Sequence, residues 1–111
     1  MSRLILLKTD QDFSQFRRSK NYQTTSLRIR VIERPNQNYP RFGFIVPKKV
    51  LSKVVDRNKL KRRIKSFLSR NSAHFRGADV LIFPNASLLK KKYSELEIEL
   101  NNLFTKARLW K

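Results

Sequence analysis

The chain has 111 residues, room for one domain and not two. Lys and Arg number 26 against 8 Asp and Glu, a formal net charge of +18. A particle this small that tolerates such self-repulsion points to a polyanionic partner. The hydrophobic fraction is 40%, with 8 Phe, which sets the chain apart from a disordered basic tail. The lack of cysteine excludes a disulfide scaffold, a thiolate nucleophile and a cysteine zinc site. The one histidine, His74, leaves histidine metal clusters and Ser-His chemistry short of parts. No apolar run approaches the roughly 20 residues of a membrane helix, so no membrane partner is expected. The apolar stretch Leu4-Ile5-Leu6-Leu7 is too short for a signal peptide, which makes the cytoplasm the expected compartment.

In chain order, Thr9-Asp10-Gln11-Asp12 resembles a capping box and predicts a short helix over about residues 10–19, with Phe13 and Phe16 on one face. Residues 22–33 are extended. In Leu27-Arg28-Ile29-Arg30-Val31 apolar and basic residues alternate, the period of a strand with one buried face, and a short extra strand fits near residues 21–24. Pro35-Asn36-Gln37-Asn38-Tyr39-Pro40 reads as a turn. Arg41-Phe42-Gly43-Phe44-Ile45-Val46-Pro47 reads as a second strand, antiparallel to the first. A helix over about residues 54–70 follows, with Leu60, Ile64, Phe67 and Leu68 forming one stripe. Asp79-Val80-Leu81-Ile82-Phe83, ended by Pro84-Asn85, has the look of a strand buried on both faces. The last segment alternates like a strand over residues 95–100. Leu96, Leu100, Leu103, Phe104 and Ala107 also fit a helix, and the order of its charges favours one, with Ser94 and Glu97 able to cap it. The expected order is α-β-β-(β)-α-β-α, an α+β single domain over residues 1–111 with a small mixed sheet packed by helices.

The charge is uneven. Residues 48–70 carry 10 bases and one acid, Asp56, and the nine residues 57–65 carry six bases. Arg57, Lys59, Lys61, Arg62, Arg63 and Lys65 surround most of a helix without a carboxylate among them, an arrangement suited to phosphate oxygens. Asn58 has two readings: a contact to a phosphate, ribose or base edge, or a cap near the helix start. Arg28 and Arg30 line the sheet face away from the core and, if that face is open, form a basic floor. Phe13 and Phe16 either pack into the core or border that floor and stack on unpaired bases. No catalytic or metal-binding constellation emerges. The acids are few and dispersed, whereas a metal-dependent nuclease needs convergent carboxylates.

Arg57-Asn58-Lys59-Leu60-Lys61-Arg62, with the upstream Arg41-Phe42-Gly43-Phe44-Ile45-Val46-Pro47-Lys48-Lys49-Val50, resembles the bacterial ribonuclease P protein component. That family carries an R-V-G-[aliphatic or Phe]-x-V-S-K-K segment, then R-N-[R/K]-x-K-R, a helix, a D-[V/I]-[aliphatic]-[aliphatic] strand and a final amphipathic helix. The resemblance spans roughly residues 3–109. Departures are Phe13 and Phe16 three apart where the family has four, Arg30 where an aromatic is common, Pro47 for Ser, and Val54 for Ala.

The resemblance implies an α/β sandwich with a left-handed β-α-β crossover, against the usual rule. It also implies a subunit of a ribonucleoprotein endonuclease that removes the 5′ leader of precursor tRNA. Its partners are the catalytic RNA, which holds the Mg²⁺ ions, and precursor tRNA, with the protein monomeric outside the holoenzyme. Carried over by position, Arg57, Asn58, Lys59, Lys61, Arg62 and Lys65 contact the RNA subunit. Phe13 and Phe16 line the leader cleft, and Lys48 and Lys49 flank it. From composition alone a non-enzymatic RNA-binding protein, such as a small ribosomal protein, fits as well. A DNA-binding module with the basic helix in a major groove fits less well, because cations around most of a helix suit phosphates better than base edges.

Overall fold

A computed structural model describes residues 5–7, 19–46 and 52–111. Its elements are β1 (Lys20–Gln23), β2 (Leu27–Glu33), β3 (Pro40–Phe44), α1 (Val54–Asn71), β4 (Ala78–Pro84) and α2 (Tyr93–Lys106). Short 3₁₀ turns occupy Ser72–His74 and Ala86–Lys90. The strands form one mixed sheet in the order β1-β2-β4-β3, with β1/β2 and β2/β4 antiparallel and β3/β4 parallel through the α1 crossover. Residues 5–7 run along the free edge of β3, where Leu7 N–H donates to the Phe42 carbonyl at 2.7 Å.

Alternation decides what each face of β2 meets. Leu27, Ile29 and Val31 are buried against the helices with Phe42, Val80 and Ile82. Onto that layer pack Leu60, Ile64, Phe67 and Leu68 of α1 and Leu96, Leu100, Leu103 and Phe104 of α2. The stripe read from the basic helix is therefore the buried one, and the helix runs one residue beyond its expected end. The C-terminus closes the core, with Trp110 stacked on Phe75 at 4.6 Å between ring centroids and packed edge-on to Phe104.

The final segment is a helix, but its start differs from expectation. Lys92 is the N-cap residue, and Glu95 reaches back to accept from its backbone N–H at 3.1 Å. Ser94 and Glu97 do not form the cap, and Glu97 pairs instead with Arg70 on α1. At the other end Arg108 sits at φ 55°, with Leu109 N–H donating to the Phe104 carbonyl and Arg108 N–H to that of Thr105, a Schellman closure. The expected helix over residues 10–19 and its cap lie outside the described residues, apart from Ser19, which is not helical.

The expected pairing of the second strand with the first is not found: β4 lies between β2 and β3, and β3 ends at Phe44. The reason is the composition of β4. All its residues except Phe83 are buried, so it needs a neighbour on each side and a cover on each face. A β2–β3 hairpin would push it to an edge. Asp79, 1% exposed, fixes the arrangement. Its carboxylate accepts from Arg34 Nε at 3.0 Å at the exit of β2, from Gln37 Nε2 at 3.2 Å in the connection, and from Arg41 Nε at 2.8 Å and Nη2 at 2.7 Å in β3. One side chain of the central strand thus holds both flanking strands. The connection crosses Gly77 so closely that a Cβ there would lie 1.7 Å from the Gln37 carbonyl oxygen, which only glycine permits.

Glu99 plays the corresponding part for α2. It accepts from Thr24 Oγ1 at 2.7 Å, Ser26 N–H at 3.2 Å and Lys91 Nζ at 3.2 Å, tying the β1–β2 turn to the helix. Burial pushes both carboxyls up. Hydrogen bonds from Arg41, Gln37 and Arg34 to Asp79, and from Thr24, Lys91 and Ser26 to Glu99, outweigh it, and both pKa values fall below their ordinary ones.

With folded values depressed, the unfolded chain binds more protons, so the stability these groups supply is complete above their ordinary values near 3.8 and 4.5 and is lost as pH falls through the folded values below them. Urea unfolding at stepped pH should show this loss, and Asp79→Asn should remove its part of the acid dependence while destabilising the protein by about 3 kcal/mol at neutral pH. Gly77→Ala should destabilise by about 2 kcal/mol or more, because the 34–37 backbone must move off β4; an unchanged urea midpoint would contradict the close crossing.

Candidate nucleic-acid interface

Helix α1 forms for ordinary reasons: Lys, Arg and Leu have high helix propensity, and no Gly or Pro interrupts residues 54–71. Its charge order is not ordinary. Asp56 suits the positive end of the helix dipole, but Lys53 at the N-cap and Arg57 oppose it, each at about 0.3–1 kcal/mol. Burial of Leu60, Ile64, Phe67 and Leu68 outweighs this, so the helix holds cations where electrostatics alone would not put them.

At about 100° per residue, Arg62 falls nearly opposite the buried stripe and forms a crest. On one side lies a depression of about 410 Å³ lined by Val55, Asn58, Lys61, Arg62 and Lys65. It slopes toward β3, where the Lys65 ammonium lies 5.8 Å from the centre of the Phe44 ring. On the other side a depression of about 370 Å³ is lined by Lys59, Arg62, Arg63, Ser66 and Tyr93 and faces α2. Val54 and Val55, 58% and 72% exposed, stand at the entry of the helix.

Asn58 is not a cap. Lys53 is the N-cap residue, and Asn58 lies in the second turn, exposed, on the wall of the first depression. Arg57 Nη1 donates to the Ser52 carbonyl at 3.1 Å. Arg63 is partly committed to the fold, donating from Nη1 to the Lys91 carbonyl at 3.3 Å, and so keeps only part of its donor set for a ligand. Among the described residues, no carboxylate pairs with Lys59, Lys61, Arg62, Arg63 or Lys65. The ion pairs there are Arg34 and Arg41 with Asp79, Arg70 with Glu97, and Lys91 with Glu99.

The sheet face away from the helices carries Arg28 and Arg30, as the alternation predicts. Arg30 stands between Asn21 of β1 and Leu81 of β4, and Arg28 between Gln23 and Phe83, so neither has an acidic cross-strand neighbour. The Arg28 guanidinium lies 4.4 Å from the centre of the Phe83 ring. The face is not a purely basic floor, for Leu7, Leu81, Ile32, Ile45 and Phe83 form a second apolar cluster on it. A guanidinium already spread on an aromatic ring beside apolar side chains offers both charge and a stacking plane. Phe13, Phe16, Lys48 and Lys49 lie outside the described residues.

Ser66, Tyr93, Lys90 and Lys92 border the cationic surface and are absent from the sequence-based set. The run Lys90-Lys91-Lys92 is a legible signal, but only the fold brings it to α1, through Arg63. Chemically the described surface offers cations, amides and an aromatic ring, groups suited to binding anions. Asp79, Glu95, Glu97 and Glu99 are each committed to an ion pair or a cap. Among the described residues no group of three or more His, Asp or Glu is placed to hold a metal ion. Nor is any helix there long and apolar enough to cross a membrane.

Comparison with known proteins agrees with this geometry. The Ribonuclease P family model matches residues 1–108. The chain is 27% identical over 105 residues to the ribonuclease P protein component of Pseudanabaena sp., covering 93% of this chain and 90% of that one. It is 31% identical over 102 residues to that of Chromobacterium violaceum, covering 91% and 83%. Among solved structures, the RNase P protein of Staphylococcus aureus superposes with a TM-score of 0.86 at 17% identity, over 98% of this chain and 100% of that one. The RNase P protein of Thermotoga maritima superposes at 0.80 with 24% identity, over 94% and 97%. These two likenesses show the fold, and the family model over nearly the whole length settles the rest: the chain belongs to the bacterial ribonuclease P protein family.

Proposed function

We propose that this chain, the protein subunit of a ribonuclease P that matures tRNA 5′ ends, grips the catalytic RNA with the exposed side of α1 and guides the single-stranded 5′ leader of precursor tRNA along the sheet face of Arg28 and Arg30. The observation that carries the reading is that Lys59, Lys61, Arg62, Arg63 and Lys65 pair with no carboxylate among the described residues, while Asp79, Glu97 and Glu99 serve the fold. Phosphate oxygens are the counter-charge such a surface fits, and arginine pairs with them through two parallel N–H bonds. Asn58, Lys61, Arg62 and Lys65 are the primary contacts, with Arg57, Lys59 and Arg63 beside them.

On the sheet face, a guanidinium on Phe83 next to Leu81 suits unpaired nucleotides, whose bases stack while their phosphates pair. Phe13, Phe16, Lys48 and Lys49 complete that path in this reading. The Mg²⁺ ions that activate water belong to the RNA, and the protein contributes binding and orientation. Residues 1–111 act as one RNA-binding domain, monomeric outside the holoenzyme and working in the cytoplasm.

Adding the protein to a cognate ribonuclease P RNA should permit leader cleavage at Mg²⁺ concentrations too low for the RNA alone; cleavage unaffected by the protein would defeat the reading. If about five to eight phosphates are neutralised, the binding constant should fall with salt at a log–log slope of roughly −4 to −7.

Arg62→Ala with Lys65→Ala should leave stability within about 1 kcal/mol, since no ion pair is lost and only the Lys65–Phe44 contact goes, yet weaken RNA binding and flatten that slope by about 2. Unchanged binding, measured by filter retention, would remove α1 from the interface.

A further inference from the structure

The cations of α1 divide into two flanks that one phosphodiester chain cannot serve together. Lys61 and Lys65 project on the β3 side and Lys59 and Arg63 on the α2 side, roughly 160° apart about the axis at about 100° per residue. A helix with its side chains is about 10–12 Å across, so an RNA backbone lying against one flank leaves the other in solvent.

The α2-facing flank is a built surface. Arg63, which lines the depression with Lys59, Arg62, Ser66 and Tyr93, donates to the Lys91 carbonyl, so the backbone between the exposed Lys90 and Lys92 meets this flank of α1. Lys91 itself turns inward to Glu99. Tyr93 forms the wall: its hydroxyl bonds Arg70 and Ser66, and the Arg70 guanidinium lies 5.1 Å from its ring centre. The carboxylates closest along the chain are occupied, Glu95 by the N-terminal cap of α2 and Glu97 by Arg70. Lys59 and Arg63 thus share one wall with an aromatic ring, Lys90 and Lys92 flank the Lys91 carbonyl that holds Arg63, and none of the four has a carboxylate paired to it among the described residues.

We propose that α1 is a wedge between two separate segments of the catalytic RNA: one on the β3-facing depression, the other on the α2-facing depression with Lys90 and Lys92 as its outer phosphate contacts. Arg62, on the crest, borders both. The inference rests on the reading of α1 as the contact to that RNA and adds a second, distinct segment together with residues outside the basic helix.

The chain has no cysteine, so a photo-crosslinking group can be placed singly at Asn58→Cys or Lys92→Cys in the full-length protein. Bound to the cognate ribonuclease P RNA, the two should label nucleotides in different, non-contiguous segments. Labelling of the same segment, or labelling from position 58 alone, would overturn the wedge and leave the α1 contact standing. Lys90→Ala with Lys92→Ala should lower affinity about ten-fold and flatten the salt slope by about 2, whereas Lys106→Ala with Lys111→Ala, equal in charge, should change neither. Equal effects of the two pairs would reduce the second flank to general charge attraction and overturn the inference. If the wild-type protein does not bind the RNA at all, the functional reading itself fails and takes the wedge with it.

Discussion

A buried aspartate in a chain of net charge +18 decides how the sheet is threaded. Asp79 stands in the central strand and takes both flanking strands by their arginines, Arg34 on one side and Arg41 on the other. Without it, the two guanidinium groups of Arg34 and Arg41 would still need partners, and β4 would lose the restraint that keeps it between β2 and β3. Burying a carboxylate is unfavourable in itself. Here four N–H groups, two residues of full positive charge and a glutamine amide surround it, and the ionised form is the stable one.

That use of acid has a consequence for the surface. Asp79 and Glu99 work inside, Glu97 ties Arg70 across the two helices, and Glu95 closes the start of α2. Among the described residues, Asp56 is the one acid on α1 itself. A helix with seven bases against one acid would be frayed by its own dipole and repulsion, were its opposite side not locked by Leu60, Ile64, Phe67 and Leu68. The apolar stripe and the cationic crest are two sides of one requirement: the first keeps the second rigid enough to present a defined pattern to phosphates.

The sequence made the elements legible and left their neighbours obscure. The period of residues 60–68, the apolar run 79–83 and the charge order of residues 95–108 each report a local property, burial on one side, burial on two, or a dipole, and each is found where expected. Pairing is not local. Residues 27–33 and 41–47 look like a hairpin because they are adjacent in sequence, and only the demand of β4 for two neighbours separates them. The same limit explains the site. The cations at 57–65 could be read directly, but not the crest at Arg62, the inward pull on Arg63 or the arrival of Tyr93, Lys90 and Lys92 beside them, because a 3₁₀ turn and a hydrogen bond to Lys91 place those. Asn58 could be read as a cap until the helix start at Val54 put it a turn inside.

The division of charge also bears on how this chain serves in a nuclease. The buried carboxylates Asp79 and Glu99 are hydrogen-bonded within the fold, to Arg41, Gln37 and Arg34 and to Thr24, Lys91 and Ser26, which lowers their pKa values. What the described surface presents is positive charge and a few rings, the groups that phosphates attract and unpaired bases stack on. Free in solution, the crest repels itself and screening by salt relieves it. Against RNA the same salt competes with it. Ionic strength therefore acts in opposite senses on the isolated chain and on its complex, and the RNA becomes the counter-ion that the folded protein lacks.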